Sequence, residues 1–254
     1  MDSISFSKDK IKKIWPIVFW VVVWQLLAMC LNSTILLASP LETIKCLWKM
    51  LLVGAFWQSI GFTFVRICSG FILALVIGTV LGALSYVFKP VRGLLAPFVS
   101  VIKATPVASF IILVLIWVPS RNLSVVISFL MAFPVIYTNI LSGLSEMDGN
   151  MLEMTRVFGI PFGKRLRYVY IPQTIPYFKA ACSLALGLCW KSGIAAEIIG
   201  LPTGSIGERL YQAKIYLSTP EMFAWTITII VVSVTCEKLV MLLVNLIMNK
   251  LEGR

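Results

Sequence analysis

Two ionisable side chains interrupt an otherwise apolar stretch at 180–199: Lys191 and Glu197. An ionised group inside a bilayer costs roughly 2.5–3.5 kcal/mol on insertion scales, so each is a candidate for contact with a solute or a water-filled path. They lie six residues apart, about 240° around a helix, and so do not share a face. Lys191 suits an anionic or hydrogen-bonding solute, whereas Glu197, near the end of the stretch, suits a gate or a helix-packing contact. Thr138, Asn139, Ser183 and Ser192 could complete a polar lining, although single hydroxyls in apolar helices commonly bond their own backbone or bridge helices. Thr105 precedes Pro106 in another apolar stretch, where a broken backbone at membrane depth would need a protein or water-filled surround. Glu237 and Lys238 read as a compensated pair or a local packing contact.

Other chemistries drop out. The chain has no histidine, which removes the commonest general base and metal ligand, and with them Ser-His-Asp triads and HExxH zinc sites. The six cysteines form no C-x-x-C pair, and five lie in apolar stretches where Cys packs as a small hydrophobe, so no metal site follows from them. No G-x-x-x-x-G-K-[ST] phosphate loop occurs, and Gly163-Lys164-Arg165 is not one, so ATP hydrolysis by that route needs a separate polypeptide.

The elements that must position these residues are membrane helices. Of 254 residues, 59% are hydrophobic and 13% charged, with a mean hydropathy of +0.94. A soluble domain of this length cannot bury so much apolar surface. Charge-free runs of 28 residues before Glu42, 22 after Arg66, 17 after Lys103 and 24 after Arg121 locate four spans. Two further runs carry internal charges. The expected architecture is all-α and integral to the membrane, with six transmembrane helices at about 14–36, 62–88, 104–119, 122–145, 180–199 and 222–248. Residues 1–13 form an N-terminal cytoplasmic segment and 14–254 one transmembrane domain. The first span is read as retained: its apolar run exceeds a signal-peptide core, and Met29 is too bulky for a lipoprotein cleavage box at Leu27-Ala28-Met29-Cys30.

Charge sets the orientation. The net charge is +11, and in a membrane chain such an excess marks cytoplasmic loops rather than nucleic-acid binding. With alternating loops, one side collects fourteen of the 22 basic residues and the other only Lys45, Lys49, Arg121, Arg209 and Lys214. Both termini are therefore expected in the cytoplasm, in a multi-pass cell-membrane protein.

Between the spans, Ser39-Pro40-Leu41-Glu42 reads as a capping box opening an amphipathic helix. Its apolar residues Leu41, Ile44, Leu47, Trp48, Leu51, Leu52 and Ala55 fall within about 140° of arc, suiting the outer interface or a neighbouring span. Lys89-Pro90, Pro97 and Thr105-Pro106 predict a broken approach to the third span, followed by a helix over about 107–118. The longest cytoplasmic loop, 146–179, reads as two short helices. Asp148 caps the first, which runs to about Phe158 and stops at Gly159-Ile160-Pro161; the second runs from Phe162 to about Tyr170 and ends near Pro172. Helices this short are marginal alone in water, so the loop calls for a docking partner.

That loop carries a resemblance. Permease subunits of binding-protein-dependent ABC importers have a cytoplasmic E-A-A-x3-G-x9-I-x-L-P motif between two late spans. This chain reads Glu153-Met154-Thr155, three residues, Gly159, nine residues, Val169, Tyr170, Ile171-Pro172. The spacing matches, while Met154 and Thr155 replace the alanines and Val169 and Ile171 replace Ile and Leu. From Ser39-Pro40-Leu41 through Ala195-Ala196-Glu197 the chain is similar to the nitrate/sulfonate/taurine branch, which also includes permeases for vitamin precursors such as hydroxymethylpyrimidine. The resemblance implies a type I ABC importer permease-like fold in which Glu153, Met154, Thr155, Gly159, Ile171 and Pro172 seat on an ATPase subunit. It also implies partners: the ATP-binding subunit, which holds ATP and magnesium, an extracytoplasmic substrate-binding protein, and a second permease copy. No cofactor is expected in this chain.

The resulting expectation is a transport subunit, not an enzyme, that couples hydrolysis by a partner to uptake of a small solute of sulfonate, nitrate or vitamin-precursor type by alternating access. Its tentative pathway residues are Lys191, Asn139, Ser192, Glu197 and Thr105. The alternative is a self-contained secondary transporter, which would show repeats with interrupted helices at matching positions. The Pro-rich approach to the third span has no such counterpart near the sixth.

Overall fold

The computed structural model describes residues 3–31, 33 and 36–251, which are helical throughout with short connections. Part of the expected first span (32, 34 and 35) and Arg254 of the basic tally lie outside the described residues, as do the side chains of 1–14. The helices are α1 (Ser3–Leu31), α2 (Pro40–Leu51), α3 (Gly54–Val87), α4 (Lys89–Ala104), α5 (Val107–Leu115), α6 (Ser120–Ser145), α7 (Gly149–Val157), α8 (Phe162–Arg165), α9 (Ile171–Gly200), α10 (Ile206–Ile215) and α11 (Thr219–Leu251). Among the described residues, four are long and apolar enough to cross a membrane: α3, α6, the continuous α8–α9 rod and α11. The α4–α5 pair makes a fifth if counted as one bent span. Val18–Leu31 of α1 is a shorter apolar run.

At the centre stands α6, paired most extensively with α9 on one side and α3 on the other. Small residues allow the α3–α6 approach: Gly70, Ala74, Gly78 and Gly82 recur every fourth position on the buried face of α3. A Cβ at Gly78 or Gly82 would stand 3.0 Å from Cγ2 of Ile136 or Ile140, so the two backbones meet with no room for a side chain. Against α9, the Ser128 hydroxyl donates to the Cys189 carbonyl at 3.2 Å, and the Cys189 thiol to the Ser128 carbonyl at 3.4 Å.

Several helices depart from the expected ranges. The third helix, α3, starts at Gly54 rather than near 62, because Arg66, which bounds the charge-free run, sits inside the helix. The expected N-terminal segment is not separate: α1 is helical from Ser3 and runs into the apolar part. The third span does break at Thr105-Pro106. Pro106 lacks an N–H and holds Thr105 extended (φ −82°, ψ 129°), so α4 and α5 meet at 105°. The helix beyond is only nine residues, ending at Leu115, followed by a turn. The largest correction concerns Pro172. It does not end a helix: α8 passes through a π-helical turn at Leu166–Tyr170 straight into α9. Pro172 cannot donate to a carbonyl one turn back, and the wider turn, with the Ile171 N–H bonded to the Leu166 carbonyl, absorbs that loss. The rod from Phe162 to Gly200 is therefore 39 residues long, where 180–199 was expected.

Candidate functional site

The two ends of the α6–α9 core are built differently. At one end α7 projects from the bundle. Asp148 caps it, accepting the Asn150 N–H at 2.9 Å. Its far end closes when Gly159 takes φ +59°: the Gly159 N–H bonds the Arg156 carbonyl and the Ile160 N–H the Thr155 carbonyl, both at 3.0 Å. That pair of bonds satisfies the last carbonyls of the helix and reverses the chain, and a left-handed residue makes it possible. Around the turn, Val157 is 78% exposed and Phe158 75%, with Phe162 and Met154 also exposed. Three consecutive motif positions thus diverge. Glu153 and Met154 face outward, whereas Thr155 is fully buried and donates its hydroxyl to the Leu152 carbonyl at 2.7 Å.

This elbow is tied to the first turns of α9. The Gln173 amide accepts the Asp148 N–H at 3.4 Å and donates to the Met151 sulfur at 2.9 Å. The Tyr177 hydroxyl donates to Glu146 at 2.5 Å, and its ring lies against Gly143 of α6, where a Cβ would come within 2.9 Å. Ile171 and Pro172 sit half-buried in the first turn of α9 rather than on the exposed elbow. A few polar links thus join the α7 segment to α9 and to the end of α6.

At the other end a buried carboxylate holds three helices. Glu197 is fully buried; its Oε2 accepts the Thr63 hydroxyl of α3 at 2.8 Å and the Gly207 N–H of α10 at 3.3 Å. Thr63 in turn accepts the Ile206 N–H at 3.0 Å. The first N–H groups of α10, which have no partner within their own helix, thus find side chains of α3 and α9, with the carboxylate at the positive end of the helix dipole. Gly207 lets the helices touch, since a Cβ there would fall within 2.6 Å of the Glu197 carbonyl carbon. The buried Ser124 hydroxyl of α6 lies beside the same carboxylate.

The five residues expected along a pathway are not gathered into one cluster. Glu197 belongs to this interior clasp. Ser192 is buried and donates to the Leu188 carbonyl at 2.8 Å, on its own helix. The Thr105 hydroxyl donates to the Val101 carbonyl at 2.7 Å and the Asn139 amide to the Val135 carbonyl at 2.8 Å, each on its own helix. Lys191 differs: it is exposed, on a stripe of α9 with Leu184, Leu188 and Ile199. Glu237 accepts the Ser183 hydroxyl at 2.7 Å, a partner other than the neighbouring Lys238 expected for it. Sequence reasoning missed Thr63, Ser124 and Gly207. The available signal was Ser205-Ile206-Gly207-Glu208, a second S-x-x-E run; Ser205 caps α10 by accepting the Glu208 N–H at 3.0 Å.

Residues 70–253 match the family described as binding-protein-dependent transport system inner membrane component. A putative aliphatic sulfonates transport permease protein of Bacillus subtilis, SsuC, is 24% identical over 238 residues, covering 92% of this chain and 86% of the relative. The taurine transport system permease protein TauC of Escherichia coli is 22% identical over 220 residues, covering 84% of this chain and 80% of the relative. The bicarbonate transport system permease protein CmpB of Synechococcus elongatus is 27% identical over 161 residues, covering 63% and 58%.

Proposed function

Because this chain belongs to the family of binding-protein-dependent transport system inner membrane components, and is thus a multi-pass permease subunit rather than an enzyme, we propose that it couples a partner ATPase to solute import through the α7 elbow. The observation that carries this reading is an apolar knob on a capped, rigid turn. Val157, Phe158 and Phe162 stand largely exposed in a segment that also carries Arg156, Lys164, Arg165 and Arg167. Apolar side chains so exposed beyond the membrane-spanning part of a chain mark a docking surface. The partner ATP-binding subunit covers them, with Glu153 reaching a basic group and Gly159 shaping the turn.

In this reading the α7 end is cytoplasmic, because the basic residues of the loops collect there. Counting α1 and the bent α4–α5 pair, the chain crosses the membrane six times with both termini inside. ATP and magnesium are bound by the partner, and hydrolysis moves the elbow. The α8–α9 rod carries that displacement across the bilayer to the Glu197 clasp and α10, opening the two sides in alternation. A second permease copy completes the pathway, and an extracytoplasmic binding protein delivers the solute. Lys191 supports a small anionic solute, in keeping with relatives named for aliphatic sulfonates, taurine and bicarbonate.

Co-expression with the cognate ATPase subunit tests the docking. Val157→Asp combined with Phe158→Asp is expected to abolish co-purification while leaving the thermal unfolding of the isolated permease unchanged. Retention of the ATPase by this variant would refute the elbow as its seat.

A further inference from the structure

We infer that Lys103 and Lys191 form two anion-binding stations on one open face of the core, one on either side of the membrane midplane; the inference rests on the permease reading above. The first observation is depth. Lys103, in the last turn of α4, extends its ammonium to 3.4 Å from the Thr138 hydroxyl of α6. The 26 residues of α6 make a rod of about 39 Å, and Thr138 lies about 8 Å from its middle toward the α7 end. That is inside a hydrocarbon core of about 30 Å. The Ser128–Cys189 bonds and the Gly143–Tyr177 contact fix the antiparallel register of α6 and α9. They put Lys191 level with 126–129 of α6, about 5–10 Å to the other side of the middle. The two ammonium-bearing positions are thus separated by roughly 15 Å along the bundle axis.

The second observation is the shared face. Over the α10 half, α5 covers the junction of α6 and α9: Ile111 and Val114 pack with Leu123, Ile127 and Ala196, and Met131 and Ala195 border them. Then α4 turns away at 105°, and the cover stops. The next residues along the same stripes are half-buried Val135, Thr138, Asn139 and Ser142 on α6, and exposed Lys191, Leu188 and Leu184 on α9. Lys103 stands at the edge of this uncovered strip.

The third observation is the lack of a counter-charge. No aspartate or glutamate occurs in α3, α4, α5 or α6. On α9, α10 and α11, Glu197, Glu208 and Glu237 are engaged by Thr63 and Gly207, by Gly204 and Gln212, and by Ser183, while Glu221 lies in the first turn of α11, at the α10 end and near Cys46 of α2. The Thr138 hydroxyl already donates to the Pro134 carbonyl at 2.7 Å, so it offers Lys103 one neutral acceptor and no charge. A cation at this depth is stabilised by water or by a passing anion. A basic residue at the end of α4 also complements that helix dipole, but such a role needs neither the reach to Thr138 nor a second cation on the same face. Sulfonate, carboxylate or bicarbonate groups are the class of solute that two such stations would hand from one to the other.

Local charge can be read with cysteine reagents. Thr138→Cys, beside Lys103, and Leu188→Cys, one turn from Lys191, would be made in a Cys30→Ser background and assembled with the ATPase subunit in nanodiscs. Their rates with anionic 2-sulfonatoethyl methanethiosulfonate and its cationic trimethylammonium analogue would be compared. Both cysteines should react, with the anionic-to-cationic rate ratio falling at least tenfold on Lys103→Met at the first site and on Lys191→Met at the second. Ethanesulfonate should slow the anionic reagent at both. An unreactive Leu188→Cys, an unchanged ratio at either site, or no effect of ethanesulfonate would overturn the two-station path. Loss of the ATPase subunit from the unsubstituted assembly would instead strike the permease reading itself.

Discussion

At the α7 end apolar side chains are left bare on a turn held by a few polar links; at the α10 end a polar cluster is sealed inside with no space to spare. Val157 and Phe158 have three-quarters or more of their area exposed, whereas Glu197 and Thr63 have none. On the proposed reading, the contrast separates a surface that another chain covers from one that is complete within this chain. Substitutions should divide accordingly: those at the clasp act on folding, those at the elbow on association.

The sharpest break of that contrast is Gly207→Val, which drives a branched side chain into the α9 backbone and should prevent recovery of folded protein, measured as monodisperse yield in detergent. Next is Glu197→Ala. It strands the Thr63 hydroxyl and the Gly207 N–H in a dry interior and should cost about 2–4 kcal/mol, read as a lowered unfolding temperature. Glu197→Gln should recover most of that loss, because the amide oxygen accepts both donors and the amide nitrogen can serve Ser124. If Gln proves as damaging as Ala, the clasp does not work by the hydrogen bonds described.

Smaller effects are expected at the elbow. Gly159→Ala forces a Cβ into φ +59° and should cost about 1 kcal/mol locally, weakening ATPase association several-fold with little change in overall stability. The least effect belongs to Ser39→Ala at the start of α2. Its hydroxyl accepts the Glu42 N–H at 3.2 Å, and loss of that cap is worth about 1 kcal/mol, seen as a slight drop in unfolding temperature and no change in association.

What the sequence disclosed was local. The Ser39–Glu42 capping box, the stop at Gly159 and the break at Thr105-Pro106 are each written within a few neighbouring residues, and the backbone obeys them. Long-range features were not legible. Nothing near Glu197 announces Thr63, 134 residues earlier, so a carboxylate in an apolar run could be read equally as gate or packing. Pro172 reads as a helix end by its own chemistry, and only the π-helical turn preceding it explains a continuous rod. Lys103 reads as one more loop charge until the register of α4 on α6 sets its depth. The spacing from Glu153 to Pro172 was visible, but not that Thr155 turns inward while Met154 turns out.

The central claim is that the elbow faces the cytoplasm and is covered there by the ATPase. It is tested most directly by Val157→Cys in the Cys30→Ser background, labelled with a membrane-impermeant maleimide in intact cells and in inverted vesicles. The account predicts labelling in inverted vesicles alone, suppressed when the ATPase subunit is present. Labelling from outside intact cells, or labelling in vesicles that the ATPase does not diminish, would contradict it.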